Sequence, residues 1–397
     1  MKKILLLGGS SQQVKVIETA KAMGYFTVLC DYLPDNPGQY AADKFYLAST
    51  TDQASILQIA KEEQIDGILA YASDPAAPTA AYIAEQLSLA GNPYESVKTL
   101  CNKDLFREFL RKHDFNTPKS YSFSSSEAAL RSSAVFTYPL IIKPVDSSGS
   151  KGATVLHSAD GLSDSLDFAF SFSRCHKVII EEYISKKHPY LIGGDIFIVN
   201  GEIKLWGLLN CHRDFHANPL VPVGKSFPLE LDTEDTERIM STLSALVHKL
   251  NICNGSMNVE LVIDEHNRVW PIDIGPRSGG NMIPDLLGDI FGIDIEKMSI
   301  LAAMGETIPC NISEPEGCFA THNLHSIYSG TYQEVLFSPE IMPYIYRTCF
   351  YKKAGDPVEY FDNASKCLGI IFMKFPNTAI RDRILNRIND FITIKLQ

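Results

Sequence analysis

The sequence predicts a mixed fold, an α/β domain followed by α+β segments, on three observations. Strand-like and helix-like segments alternate regularly through the N-terminal quarter of the chain. Two alternating apolar runs, Met257–Ile263 and Val269–Ile274, flank a polar turn and indicate a β-hairpin. Beyond about residue 306, further strand-like runs and a closing helix indicate a small α+β unit. We therefore expect three domains. The first is a doubly wound parallel α/β domain over 1–97, and the last is a small C-terminal α+β domain over 306–397. Between them, a domain over 98–305 consists of two α+β subdomains, about 98–185 and 186–305.

Composition and charge narrow the functional classes. The 397 residues carry a net charge of −11, which argues against a general nucleic-acid binder because phosphate contacts need basic patches. The chain is 45% apolar with a mean hydropathy of −0.03, and it contains no apolar run long enough to span a membrane. Its nine cysteines include no Cys-x-x-Cys pair, which favours scattered reduced thiols and a cytoplasmic setting.

The N-terminal segments place several polar residues at the carboxyl ends of predicted parallel strands. A buried strand over 2–7 runs into the tight turn Gly8-Gly9-Ser10-Ser11 and then a helix over Gln12–Met23. The next strand ends at Asp31, and a later one ends before Ser73-Asp74. The Gly-x-Gly-x-x-Gly fingerprint is incomplete, so a dinucleotide site is only weakly indicated. These turns would line one crevice, although each one alone is also typical of turn chemistry or helix capping.

The remaining segments follow from periodicity and turn signals. The hairpin around Asn200-Gly201 has the strongest turn signal in the chain. The sequence predicts helices at Ser96–His113, Glu127–Ser132, Thr233–Leu250, Leu286–Met304 and Asn377–Phe391, and strands at Pro139–Pro144, Lys177–Tyr183, Asp195–Val199, Ile203–Asn210, Phe319–Ile327, Thr348–Lys353 and Leu368–Phe375.

Two acids in the 257–274 hairpin suggest a cation site. Side chains alternate along a strand, so closing the hairpin can bring Glu260 and Asp273 to the same side. Two nearby carboxylates repel unless a cation lies between them, and oxygen ligands suit Mg²⁺. The run GPRSGG then delivers Arg277, which can meet phosphate oxygens. The alternative is a surface hairpin with solvated acids.

A second group of residues could bind phosphates. Lys143 ends an apolar strand and is followed by a Gly/Ser loop over 147–152, whose backbone N–H groups can wrap phosphate oxygens. The pattern is not that of a P-loop, because Gly-x-x-x-x-Gly-Lys-Ser/Thr is missing. Lys103 lies upstream on a helix, and the strand end 181–184 lies downstream, where backbone groups can bond an adenine edge.

This ordered set is similar to the ATP-grasp superfamily, most closely to the branch of carbamoyl-phosphate synthase, biotin carboxylase and carboxylate–amine ligases. The resemblance covers almost the whole chain. It implies that Lys103 and Lys143 contact ATP phosphates, that Glu260 and Asp273 hold Mg²⁺, and that Arg277 stabilises the transferring phosphoryl group. It also implies a closing loop of Ser147, Ser148, Gly149, Ser150, Lys151 and Gly152, and an adenine-binding segment of Glu181, Glu182, Tyr183 and Ile184.

The chain departs from the family at two places. The usual Glu-x-Asn-Pro-Arg reads Asp273-Ile274-Gly275-Pro276-Arg277, so the ligand at Gly275 is missing, and either Asn281 or water would replace it. The acid that normally contacts the ATP ribose has no clean counterpart, and Asp195 lies in the corresponding region. Arg213 is a further candidate, for a substrate carboxylate or an acyl phosphate.

The resemblance implies an ATP-dependent ligase that joins a small carboxylate to a small amine through an acyl phosphate, releasing ADP and phosphate. The expected cofactors are ATP and Mg²⁺, with Mn²⁺ as an alternative ion. Two other functions stay open: activation of bicarbonate, as in a carboxylase or a carbamoyl-phosphate synthase, and a non-catalytic nucleotide sensor. We expect no nucleic-acid or membrane partner, and a homodimer as the default assembly.

Overall fold

The computed structural model describes all residues 1–397 and begins with a parallel sheet. Its four strands have the order β3-β2-β1-β4, and all of their pairings are parallel. The elements are β1 (Lys3–Leu7), α1 (Ser11–Ala22), β2 (Phe26–Asp31), α2 (Pro37–Ala41), β3 (Lys44–Leu47), α3 (Gln53–Glu63), β4 (Gly67–Leu69) and α4 (Ala77–Gln86). The predicted parallel α/β unit is confirmed, and its strand ends lie at the crevice where ligands bind in such sheets.

A second sheet of four antiparallel strands follows, in the order β5-β8-β6-β7. Its region comprises α5 (Tyr94–Cys101), α6 (Lys103–Lys112), β5 (Ser120–Phe123), α7 (Ser126–Arg131), β6 (Leu140–Pro144), β7 (Thr154–Leu156), α8 (Leu162–Phe172) and β8 (Val178–Glu182). The single helix predicted over Ser96–His113 is wrong. Two helices form because Asn102 is extended, with φ −125° and ψ 113°, and this break leaves Lys103 in the first turn of α6.

The largest sheet has eight strands in the order β13-β12-β9-β10-β11-β14-β18-β16, all antiparallel. Its first part comprises β9 (Leu191–Val199), β10 (Glu202–Arg213), β11 (Pro222–Phe227), α9 (Thr233–Lys249), β12 (Gly255–Ile263), β13 (Val269–Gly275), α10 (Ile283–Phe291) and α11 (Ile295–Ala303). The helix predicted over Leu286–Met304 is divided at Gly292, whose φ of +65° ends α10. One face of this sheet packs on α5, α6 and α9 in a cluster of 19 buried apolar residues that includes residues of β12 and β13.

The C-terminal region extends the large sheet and adds a small one. It comprises β14 (Cys318–Leu324), β15 (Gly330–Phe337), β16 (Ile345–Phe350), β17 (Pro357–Val358), β18 (Gly369–Phe375), α12 (Thr378–Leu385), α13 (Ile388–Phe391) and β19 (Ile392–Leu396). The three strands predicted there are β14, β16 and β18, and they continue the eight-stranded sheet. The closing helix predicted over Asn377–Phe391 is divided into α12 and α13, and β19 follows it and joins β15 and β17 in a three-stranded sheet. The boundary at residue 306 stays a prediction.

Three short 3₁₀ turns, Ser133–Val135, Met342–Tyr344 and Ala364–Lys366, complete the chain. None of its helices combines the length and the apolar character needed to cross a membrane. All nine cysteines are free thiols.

Candidate nucleotide and metal site

Glu260 and Asp273 face each other across the β12–β13 hairpin. They are direct cross-strand partners in the antiparallel register, so the prediction that they share one side is confirmed. Both side chains are partly open to solvent, and each has a cation nearby. Arg213 Nη2 lies 3.5 Å from Glu260, and Lys103 Nζ lies 3.6 Å from Asp273. The chemistry of this donor set, two opposed carboxylates with free oxygens, fits a bound Mg²⁺ ion.

A bulge beside this pair shifts the hairpin register between Glu260 and Leu261, so that Leu261 pairs with Pro271. The strict alternation predicted for β13 therefore fails at Ile272. The carbonyls of Pro271 and Ile272 accept hydrogen bonds from the guanidinium of Arg107, at 3.3 and 2.6 Å. The bulge is thus stabilised from another element, as buried backbone groups require.

Arg107 connects this bulge to Lys143 through Glu181. Arg107 Nε donates to Glu181 Oε1 at 2.7 Å, and Lys143 Nζ lies 2.8 Å from Glu181 Oε2. All three side chains are buried. Burial alone would raise the pKa of Glu181, but the charges of Arg107 and Lys143 outweigh it and hold that pKa at about 2. Burial, together with the nearby Arg107 and Lys103 charges, lowers the pKa of Lys143 despite Glu181.

The predicted adenine segment is only partly free to bind. Glu181 pairs with Ser120 on one side and Ile141 on the other, in the middle of the second sheet. The N–H groups of Glu182 and Tyr183 donate to backbone carbonyls, both at 3.0 Å. Only Ile184 makes no backbone hydrogen bond within the chain. The backbone of Glu181 thus lies inside the sheet while its carboxylate contacts Arg107 and Lys143, and its expected role in adenine binding stays a prediction.

The Gly/Ser loop is held at its base and at its tip. Lys103 Nζ donates to the carbonyl of Ser147 at 2.6 Å, and the Ser150 hydroxyl donates to the carbonyl of Leu220 at 2.8 Å. Gly149, Ser150 and Gly152 have left-handed φ values of 65°, 62° and 73°. This conformation explains the small residues, since bulky side chains disfavour positive φ. The side chain of Lys151 is exposed.

Asp195 holds the loop that carries Arg277 through hydrogen bonds. One Asp195 oxygen accepts from the Gly279 N–H at 2.7 Å, and the other accepts from the Asn258 amide at 2.8 Å. Asp195 is almost completely buried, and burial raises its pKa to about 6 against the effect of these donors. Both oxygens thus already have a donor inside the protein, and the expected contact of Asp195 with ATP stays a prediction.

Arg277 itself is paired with an acid from the first sheet. Its Nε donates to Asp74 Oδ1 at 2.7 Å, and its Nη2 donates to Asp74 Oδ2. Asp74 follows β4 at the crevice, in the loop that the sequence placed there. The charges of Asp74, Asp195 and Asp273 together outweigh burial and raise the pKa of Arg277. Arg277 follows the end of β13, whereas Lys143 lies on β6 of the second sheet, so the candidate phosphate-binding residues come from different parts of the fold.

Asn281 has the left-handed φ of 54°, and its N–H donates to Gln12 Oε1 at 2.8 Å. No side-chain bond joins it to Glu260 or Asp273, and no cluster of three or more His, Cys, Asp or Glu residues is placed to hold a metal ion. The part assigned to Asn281 as a metal ligand therefore stays a prediction.

Sequence reasoning missed Lys225, a buried cation on the same sheet. Lys225 Nζ donates to Cys211 Sγ at 2.7 Å. The same nitrogen lies close to Gly193, since a Cβ added to Gly193 would be 3.2 Å from it. Gly193 is the cross-strand partner of Glu260, so Lys225 faces the same side as the acid pair. Strand β11, which carries Lys225, was not predicted because PVGKSF is short and contains both Pro and Gly.

Comparison with known proteins identifies this arrangement. Residues 100–281, the part that contains most of these side chains, match the ATP-grasp domain. Residues 100–281 therefore form an ATP-grasp domain. This match confirms the resemblance that the ordered motifs predicted.

Several relatives and solved structures resemble this chain. A formate-dependent phosphoribosylglycinamide formyltransferase of Prochlorococcus marinus is 29% identical over 188 residues, which are 46% of this chain and 48% of the relative. The chain therefore spans about half the length of this curated relative. The fold is similar to an L-amino acid ligase from Bacillus licheniformis (TM-score 0.82, 18% identity, 100% and 99% of the two chains). It is also similar to a phosphoribosylglycinamide synthetase from Anaerococcus prevotii (TM-score 0.77, 21% identity, 100% of both chains).

Proposed function

We propose that the protein is an ATP-dependent ligase that joins a small carboxylate to a small amine. One observation carries the proposal: Lys103 Nζ, a phosphate-binding candidate, lies 3.6 Å from Asp273, which is the direct cross-strand partner of Glu260, so a cation adjoins the predicted metal-binding pair. Phosphoryl transfer depends mainly on such positioned charges. The ligase and synthetase named among the structural neighbours support the same reaction class.

The reaction would proceed in two steps. An oxygen of the substrate carboxylate attacks the γ-phosphorus of ATP, the bond to the β-phosphate oxygen breaks, and ADP leaves. The amine nitrogen then attacks the acyl carbon of the acyl phosphate, loses a proton, and inorganic phosphate leaves. Lys143 and Lys103 neutralise phosphate charge, Arg277 binds the transferring group, and Arg213 orients the carboxylate or the acyl phosphate. The 147–152 loop would exclude water from the acyl phosphate.

Glu260 and Asp273 would hold Mg²⁺, which supplies charge neutralisation between phosphate oxygens. Arg213 and Lys103 contact these acids at 3.5 and 3.6 Å, which is long for an ion pair, so the carboxylates remain available. We retain Mn²⁺ as an alternative ion.

We further propose that one of the small substrates occupies a cavity next to the Arg277 loop. This cavity has a volume of about 280 Å³ and is bordered by Gln12, Lys15, Tyr71, Gly279 and Tyr351. The Tyr351 hydroxyl at its border is buried and has no hydrogen-bond partner within the chain. Domain boundaries at 97 and 305, a homodimer and a cytoplasmic setting remain predictions.

An ADP-release assay with MgATP and pooled carboxylic acids and amines tests the proposal. We expect release that requires both an acid and an amine, and we expect Lys143→Ala and Asp273→Asn to abolish it without unfolding the protein. Full activity of both variants would refute the assignment of the site. ATP binding without turnover over a broad panel would instead favour a nucleotide sensor, and turnover with bicarbonate alone would favour a carboxylase-type reaction.

A further inference from the structure

The Asp74 carboxylate fills the space in which a side chain at Gly275 would lie. Gly275 ends β13, two residues after Asp273, so a side chain there would project from the face that carries the acid pair. The space beside its Cα is already filled. A Cβ at position 275 would lie 2.6 Å from Asp74 Oδ1 and 3.1 Å from Arg277 Cζ. A real Cβ does not approach other atoms so closely, so any side chain here would displace the Asp74–Arg277 pair.

Backbone conformation does not explain the glycine. Gly275 lies in a regular strand, paired with Asn258, and its φ is not positive. An alanine could therefore adopt the same backbone without strain. A side chain at position 275 would instead meet the carboxylate of Asp74, which lies in the loop after β4 of the first sheet.

The pairing fixes the plane of the Arg277 guanidinium. Two parallel bonds to Asp74 use Nε and one N–H of Nη2, and one N–H of Nη1 donates to the carbonyl of Ser278 at 3.0 Å. Two N–H groups, one on each terminal nitrogen, stay free for an anion. Burial would raise the pKa of Asp74, but Arg277 and then Lys103 outweigh it and lower that pKa, so the acid is charged in the pair.

We propose that Asp74 is a positioning residue that orients Arg277 toward the γ-phosphate, and that position 275 lacks a side chain in order to admit it. This inference rests on the proposed function, because the γ-phosphate is the expected partner of Arg277. It makes the geometry of the nucleotide site depend on a residue of the N-terminal sheet. The opposite possibility is that Asp74 blocks Arg277 and competes with the anion.

A double-mutant cycle tests the proposal with Asp74→Ala, Gly275→Ala and the double variant. Each single change should lower kcat for ADP release about 10²-fold, the order of loss for a misplaced catalytic group. KM for ATP should change much less. Removing the carboxylate also removes the 2.6 Å contact and frees Arg277 to shift from its 3.1 Å contact, so Gly275→Ala should cost little further in the Asp74→Ala background. Gly280→Ala is the matched control in the same loop, since its Cβ would meet only Gln12, at an ordinary 3.5 Å.

Three results would overturn the proposal: wild-type kcat in Gly275→Ala, additive losses in the double variant, or tighter ATP binding by Asp74→Ala. Thermal melting of each variant shows whether it is folded, and Asp74→Asn, which keeps one acceptor oxygen, serves if the alanine variant unfolds.

If the wild type releases no ADP with any substrate, the proposed function fails, but the inference can still be tested. The Kd for ADP divided by the Kd for ATP reports the γ-phosphate contact, because only ATP carries that phosphate. This ratio should fall toward one in Asp74→Ala. An unchanged ratio would refute the positioning role.

Discussion

Glu260 and Asp273 are direct cross-strand partners on β12 and β13, so their carboxylates lie on the same face of the sheet. Their mutual repulsion is unfavourable in the free protein, and a divalent cation would relieve it. We therefore expect the acid pair to lower the stability of the metal-free protein and to favour binding of a divalent cation.

The first prediction concerns Asp273→Asn. We expect it to lower Mg²⁺-dependent ADP release at least about 10²-fold, the order found when a charge-stabilising group is removed. Without divalent ions it should melt at or above the wild-type temperature, because the repulsion is gone. Mg²⁺ with ADP should stabilise the wild type more than the variant in a thermal melt. Glu265→Gln, at the exposed turn of the same hairpin, is the control and should behave as wild type. A variant with full metal-dependent stabilisation would exclude Asp273 as a ligand.

The second prediction concerns acid stability. The pKa of Glu181 falls from 4.5 to about 2 on folding, so its ionised form stabilises the native state fully above pH 4.5. This contribution is lost as the pH falls from 4.5 toward 2. Glu181→Gln should destabilise the protein at pH 7 by about 3 kcal/mol, since Lys143 and Arg107 lose a buried partner. It should also flatten the decline of stability in this pH range.

Urea unfolding at pH 7 and between pH 3 and 5 measures both effects of Glu181→Gln. Glu182→Gln is the neighbouring control, and its side chain is less buried. Equal pH dependence in Glu181→Gln and the wild type would show that this network does not control acid unfolding.

The sequence allowed the fold class and the pairing of Glu260 with Asp273 to be predicted because both depend on local periodicity. Glu260 and Asp273 lie on a short hairpin, where alternation and closure decide which side each faces. The position of Arg277 was also visible, as part of GPRSGG. Its partner Asp74 was assigned to the same crevice, but the contact between them joins residues 203 positions apart.

What sequence reasoning missed depends on contacts between distant segments. Arg107 reads as an ordinary helix residue, yet it is buried and bonds the bulge carbonyls of β13, 164 and 165 positions away. Asp195 has the acidic character expected of a ribose ligand, but only the folded sheet reveals that the Gly279 N–H occupies one of its oxygens. Strand alternation cannot indicate either contact, because it describes one segment at a time.

The third prediction concerns Lys225, whose only side-chain partner is the thiol of Cys211. Lys225→Met retains the length of the side chain and removes its charge. If Lys225 supplies a cation to the reacting anion, turnover should fall at least about tenfold. Stability should be unchanged or higher, because a buried ammonium is unfavourable without a carboxylate. Lys204→Met, on the same strand β10 as Cys211 but solvent-exposed, is the control. Unchanged kcat and KM in Lys225→Met would limit this lysine to a structural role.

The fourth prediction separates the two glycines of the 147–152 loop. Both have positive φ, so alanine strains the backbone at either position. A Cβ at Gly149 would approach no closer than 4.0 Å to a neighbour, whereas one at Gly152 would lie 2.9 Å from Pro144 Cγ and 3.0 Å from Phe172 Cβ. Gly152→Ala should therefore also move the base of the loop away from β6, the strand that carries Lys143.

We expect both loop variants to lose activity, with the larger loss in Gly152→Ala. If the loop excludes water, Gly152→Ala should also release more ADP without forming amide, because the acyl phosphate would be hydrolysed. The ratio of ADP to amide product measures this uncoupling, and Gly149→Ala serves as its matched control because only the packing against Pro144 and Phe172 differs. Equal ratios in the two variants would mean that the contact of Gly152 with β6 does not control access of water, and that loop closure depends on backbone freedom alone.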